Sequence, residues 1–192
     1  MASALKGLSN YDFKSVPSGE NLEVAIVVAD WNSEITFELL RGCVETLEKH
    51  GVASNDIRIE HVPGSFELPF IAKALLECSE MYDVIIVIGA IITGETRHDE
   101  YISHAVTKGI MELNLRSAIP IVFGVLTPNN MEQALDRAGG KHGNKGVEAA
   151  VTALKMAKVN SQFDYGFGDD FNLGDFIDFE DDDDPTPKLR KI

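Results

Sequence analysis

The chain predicts an α/β fold, a three-layer α/β/α arrangement on a four-stranded parallel sheet of the flavodoxin-like kind. Three observations lead there. The runs Glu23–Asp30 (E-V-A-I-V-V-A-D) and Asp83–Ile92 are apolar and β-branched without alternation, as strands buried on both faces are. Each run is followed by apolar residues at helical spacing. This strand-then-helix unit occurs four times, which with right-handed crossovers covers both faces of a parallel sheet.

In chain order, Met1–Asn21 holds Gly, Ser, Pro and Asn with little periodicity and reads as an arm. After the first strand, Asn32 or Ser33 could cap a helix whose apolar residues are Phe37, Leu40, Val44 and Leu47, ending near Gly51. Asp56–Val62 is a short strand closed by Pro63-Gly64. A helix then runs from Phe66 to about Ser79, with Pro69 tolerated in its first turns. Asp83–Ile92 ends at Thr93-Gly94, where Thr96 and Asp99 form a capping-box pattern before Ile102, Ala105, Val106, Ile110 and Leu113. Ile119–Thr127 is the last strand. Asn130 with Gln133 caps a short helix through Arg137, and Gly139-Gly140 ends it. A loop, 141–146, leads to a final helix with Val147, Val151, Leu154 and Met156 or Ala157 apolar. The domain is therefore expected over 22–158, between the arm, 1–21, and a tail, 159–192.

The formal charge of −14 argues against a nucleic-acid partner. It is unevenly spread, since the tail has ten acidic and three basic residues and so holds half of it. Like charges at that density resist compaction, which reads as disorder. Against that, Phe163, Tyr165, Phe167, Phe171, Phe176 and Phe179 could dock on the domain or on a neighbouring subunit. No apolar run approaches the ~20 residues of a membrane span, and no signal pattern opens the chain, so a cytoplasmic protein is expected. Cys43 and Cys78 both fall in helix-like segments and read as buried structural thiols. No metal-ligand spacing appears.

The stretch Gly89–Tyr101 (G-A-I-I-T-G-E-T-R-H-D-E-Y) carries the candidate chemistry. A buried strand ends in a glycine turn and a helix starts at once, at the sheet edge where α/β proteins bind ligands. Helix-start N–H groups suit an anion there. His98 in the first turn could accept a proton near neutral pH; a solvated first-turn histidine fits the local sequence equally well. His50, His61 and His104 have no such setting. Arg137, Lys141, His142 and Lys145 are the obvious counter-charge to an anion, or else decorate a helix end and a loop. Trp31 and Phe66, after two other strand ends, suggest a stacking site for a flat heterocycle, though either alone reads as packing.

The motifs V-P-G-S-F-E-L-P (62–69), I-G-A-I-I-T-G-E-T-R-H (88–98) with Tyr101-Ile102, F-G-V-L-T (123–127), E-Q-A-L-D-R-A-G (132–139) and K-H-G-N-K-G (141–146) together resemble the 6,7-dimethyl-8-ribityllumazine synthase family. The resemblance spans roughly residues 20–158, and the tail has no counterpart in a typical member. It implies the penultimate step of riboflavin biosynthesis: 5-amino-6-(D-ribitylamino)uracil condenses with 3,4-dihydroxy-2-butanone 4-phosphate, releasing phosphate and water. No metal or organic cofactor is implied. The resemblance places the pyrimidine on Trp31, held by Ser65, Phe66, Glu67 and the backbone of Ala90, Ile91 and Ile92, with Phe123 closing the far side. Phosphate falls to Glu95, Thr96 and Arg137, proton transfer to His98, and secondary charge to Lys141 and Lys145. It further implies a homo-oligomer, a pentamer that in many members builds a 60-subunit icosahedral shell, and association with riboflavin synthase.

Four positions depart from the pattern. Asp99-Glu100 stands where Phe-Asp is frequent, Phe66 where tryptophan is common, and Trp31 where phenylalanine is common. Two other readings remain: a carrier that binds lumazine or flavin without turnover, and a chiefly structural shell protein. His98 and Arg137 count against a carrier, which needs neither proton transfer nor phosphate capture.

Overall fold

The structure, a computed structural model, describes residues 9–78 and 81–163. The strands β1 (Val24–Ala29), β2 (Ile57–Val62), β3 (Val84–Ala90) and β4 (Ile121–Leu126) pair in parallel in the order β2-β1-β3-β4. That is the expected flavodoxin-like order, and its direction reverses between β1 and β3.

β1 and β3 are buried along their whole length, and the alternation of side chains divides them between two cores. Val24, Ile26, Val28, Ile86 and Ile88 face the helices α1 (Ser33–Lys49) and α5 (Lys145–Asn160). Ala25, Val27, Ile85 and Val87 face α2 (Leu68–Glu77) and α3 (His98–Arg116). Every residue of the two central strands is thus used, which is why neither run alternates in polarity. β2 is an edge strand, and its Arg58, Ile59 and His61 are exposed.

Several local expectations are corrected. The buried stripe of α1 is Ile35, Leu39, Cys43 and Leu47; Phe37 is exposed, and Leu40 and Val44 are half-buried. The close approach of α5 sets this rotation. A Cβ on Gly42 would strike the Asn144 side chain, and one on Gly146 would run into the Leu39 carbonyl oxygen. Thr96 does not cap α3, whose N-cap position is Arg97 without a side-chain capping bond. Along α3 only Val106 and Ile110 are buried, and Ala105 is exposed. Cys43 is buried, which pushes its thiol up to about 12, whereas Cys78 is exposed.

The Asn130 cap is as expected: its Oδ1 accepts from the Gln133 N–H at 2.9 Å, starting α4 (Met131–Asp136). The stretch read as a loop instead forms an antiparallel hairpin, β5 (Ala138–Gly140) with β6 (Gly143–Asn144). Strands of three and two residues carry no readable period. The tail from residue 164 on lies outside the described residues, as do positions 1–8 of the arm. Among the described residues no helix is long and apolar enough to cross a membrane.

Candidate active site

Three chain segments meet at the carboxyl ends of β1, β2 and β3. The turn after β1 is laced to β2: the Asp30 N–H donates to the Val62 carbonyl at 2.8 Å, and the Trp31 N–H to the Pro63 carbonyl at 3.0 Å. The turn after β2, Ser65–Glu67, is a single 3₁₀ turn lying against β3. Gly89 admits it, because a Cβ there would meet the Ser65 hydroxyl. After β3 the backbone continues extended, with the Ile91 N–H donating to Leu126 at 2.8 Å and the Thr93 N–H to Pro128 at 3.1 Å.

Between these segments opens a cleft of about 910 Å³. Of the residues expected at the site, Trp31, Ser65, Phe66, Glu67, Ala90, Ile91, Ile92, Thr96 and His98 line it. Trp31 and Phe66 are largely exposed, at 72% and 57%, so both rings are available to stack on a ligand rather than filling the core. His98 is exposed at the start of α3 and makes no side-chain hydrogen bond to any described residue. Gly94 also lines the cleft, and a Cβ built on it would meet nothing within 4 Å, so open space lies beside the helix start.

The remaining expected residues are elsewhere. Phe123 does not close this cleft within one chain; it sits on β4 opposite Val87 and lines a second, smaller hollow of about 330 Å³. Lys145 lines that second hollow too, its Nζ donating to Glu148 at 2.7 Å. Arg137, at the end of α4, donates to the Gln133 carbonyl at 3.2 Å, and Lys141 is exposed in the hairpin. Neither lines the cleft, nor does Glu95, which lies between Gly94 and Thr96.

Asn32, Gly64, Thr93, Asp99, Ile102 and Met131 complete the lining without having been expected in a binding role. Asn32 was legible only as a helix-start residue and Asp99 as a helix-start acid at the pocket's rim, and Met131 becomes a neighbour only through the return of the chain after β4. The lining holds Glu67 and Asp99 but no lysine or arginine. An anionic ligand group would therefore meet backbone N–H groups here without a side-chain cation from the same cleft.

Comparison with known proteins shows the family. The sequence model of the family 6,7-dimethyl-8-ribityllumazine synthase matches residues 21–161. A protein of that name from Parabacteroides distasonis is 52% identical over 161 residues, covering 84% of this chain and 100% of the relative. Its namesake from Porphyromonas gingivalis is 52% identical over 82% of this chain and 97% of its own. Another, from Cytophaga hutchinsonii, is 51% identical over 81% and 97%.

Proposed function

We propose a working site for a chain that belongs to the 6,7-dimethyl-8-ribityllumazine synthase family. It is a transferase of riboflavin biosynthesis, condensing 5-amino-6-(D-ribitylamino)uracil with 3,4-dihydroxy-2-butanone 4-phosphate to the lumazine, with release of phosphate and water. The pyrimidine stacks on Trp31 and is held by the Ser65–Glu67 turn and the strand-end backbone of Ala90, Ile91 and Ile92. The phosphate takes the open space beside Gly94, on the amides of Glu95 and Thr96. His98 stands between the two and moves the protons of imine formation, phosphate elimination and ring closure. Holding both substrates together supplies much of the rate, since effective molarities are worth roughly 7–11 kcal/mol.

The observation that carries this reading is one cleft joining two exposed rings, a strand end and a histidine unpartnered among the described residues. Its lack of a cation carries the second half. Arg137, with Phe123, Lys141 and Lys145, comes from an adjacent copy of the chain, so each site lies between two copies and head-to-tail contacts close a ring. A ring of five, and a 60-subunit shell of such rings, are the assemblies the family resemblance implies. Exposed Phe70, Tyr101, Met111 and Leu115 supply apolar surface for such contacts. A cytoplasmic location and a complex with riboflavin synthase belong to the same reading.

Subunit mixing tests it. His98→Ala and Arg137→Ala chains, each impaired alone, are co-expressed in equal amounts. If the site joins two copies, about a quarter of the interfaces pair both native residues, and activity rises toward that fraction of wild type. Activity no higher than the mean of the two parents would overturn the two-copy site.

A further inference from the structure

We propose that Asn32 is a positioning residue for the heterocyclic substrate, its amide fixed by the β3 strand end so that its oxygen serves the cleft as a hydrogen-bond acceptor for a ring N–H. The proposal rests on the assignment of this cleft to the pyrimidine.

Asn32 has φ 61 and ψ 42, one of two non-glycine residues with positive φ among those described. That left-handed conformation is costly for most L-residues, and asparagine is among those that tolerate it best. At the start of a helix an asparagine ordinarily caps the first N–H groups, yet this side chain makes no capping bond. Its Nδ2 donates instead to the Ala90 carbonyl at 2.8 Å, across the switch point between β1 and β3. The Asn32 carbonyl meanwhile accepts from the Ile35 and Thr36 N–H groups at 2.8 and 3.0 Å, anchoring the backbone to α1.

Two consequences follow for the ligand. First, the backbone at Trp31 is tied down by its own N–H to the Pro63 carbonyl and by the neighbouring Asn32–Ala90 bond, while its indole is largely exposed. Second, the hydrogen-bonding edge of the strand end is changed. The Ala90 carbonyl is engaged by Asn32 and the Ile91 N–H by Leu126. An amide whose NH₂ is committed to a carbonyl has its orientation settled, because a flip would set oxygen against oxygen. Asn32 Oδ1 has no donor among the described residues, and Asn32 lines the cleft. The side chain thus exchanges a backbone acceptor for a side-chain acceptor on a residue that lines the cleft beside Trp31. A pyrimidine bearing N–H groups along its edge matches it; a ring presenting only acceptors there does not.

Asn32→Gly, Asn32→Asp and Trp31→Ala test the proposal in the assembled enzyme. Glycine accepts the positive φ and removes only the amide, so the fold is kept. Asn32→Gly should raise the KM for the pyrimidine about tenfold while the KM for the phosphate substrate stays within about twofold. Asn32→Asp sets a carboxylate against the Ala90 carbonyl. It lacks the donor that ties Asn32 to Ala90, so its pyrimidine KM should rise at least as far as that of Asn32→Gly. An unchanged pyrimidine KM in Asn32→Gly, equal rises for both substrates, or a wild-type pyrimidine KM in Asn32→Asp would each overturn it. If Trp31→Ala also leaves the pyrimidine KM unchanged, the cleft assignment has failed; if only Asn32→Gly does, the failure is that of Asn32.

Discussion

His50 and His98 differ in almost every respect that decides what an imidazole does. His50 follows the last turn of α1, about 25 Å of helix away from the strand ends. It is 6% exposed, its Nε2 lies 3.1 Å from the Tyr11 hydroxyl, and its ring stacks on Phe13 at 4.3 Å between centroids. The His50 carbonyl accepts from the Gly19 N–H at 2.8 Å, so ring and backbone together pin the arm to the domain. His98 has none of this; it is exposed, unpartnered among the described residues, and opens on a cleft. A ring whose hydrogen bonds are spent on its own chain stabilises structure. One left unsatisfied beside a cavity remains available to a substrate proton.

The largest test of that contrast is His98→Ala. It should lower kcat by roughly 100–10,000-fold, the range of a general acid–base group, while the melting temperature stays at the wild-type value because no packing is lost. A wild-type rate would remove His98 from the chemistry. Arg137→Ala comes next. It should raise the KM for the phosphate substrate about 10–100-fold, as loss of a charge-assisted hydrogen bond does, and leave the pyrimidine KM unchanged. An unchanged KM for the phosphate substrate would leave the anion to the helix start alone and weaken the case for a site between two copies.

The asymmetry between the two histidines was half legible in the sequence. His98 stood out because a buried β-branched run, a glycine and a helix start place it at a strand's carboxyl end, and all three signals are local. His50 read as unremarkable, since its partners Tyr11 and Phe13 lie nearly forty positions away in an arm without periodicity. The same reason explains what else local patterns left open. Phe123 and Arg137 were grouped with His98 by motif, but strand order and chain return put them outside the cleft of their own chain. The rotation of α1 depended on the approach of α5 at Gly42 and Gly146, a contact made by residues with no side chain to announce it. Patterns of period fix which elements exist; which face meets which partner is decided by distant close approaches.

The smallest expected effect concerns His50 itself. Burial, helped by the positive charge of neighbouring Lys49, holds its pKa below the ordinary 6.5. Between that lower value and 6.5 the unfolded chain binds more protons than the folded one, so stability rises with pH across this window. The contribution is therefore full above about 6.5 and is lost as pH falls toward the folded value. Protonation would also charge a ring stacked between Phe13 and the Tyr11 hydroxyl, with the Lys49 ammonium 5.5 Å from the Phe13 ring centroid. Acidification from about pH 7 to about pH 5.5 should accordingly speed hydrogen exchange in the arm, residues 9–19, and lower the melting temperature slightly. His50→Phe keeps a ring to stack on Phe13 but cannot titrate, so it should flatten both responses while leaving kcat at neutral pH unaltered. Equal acid sensitivity in His50→Phe and wild type would show that the arm is held by something other than this ring, and the contrast with His98 would then rest on the cleft alone.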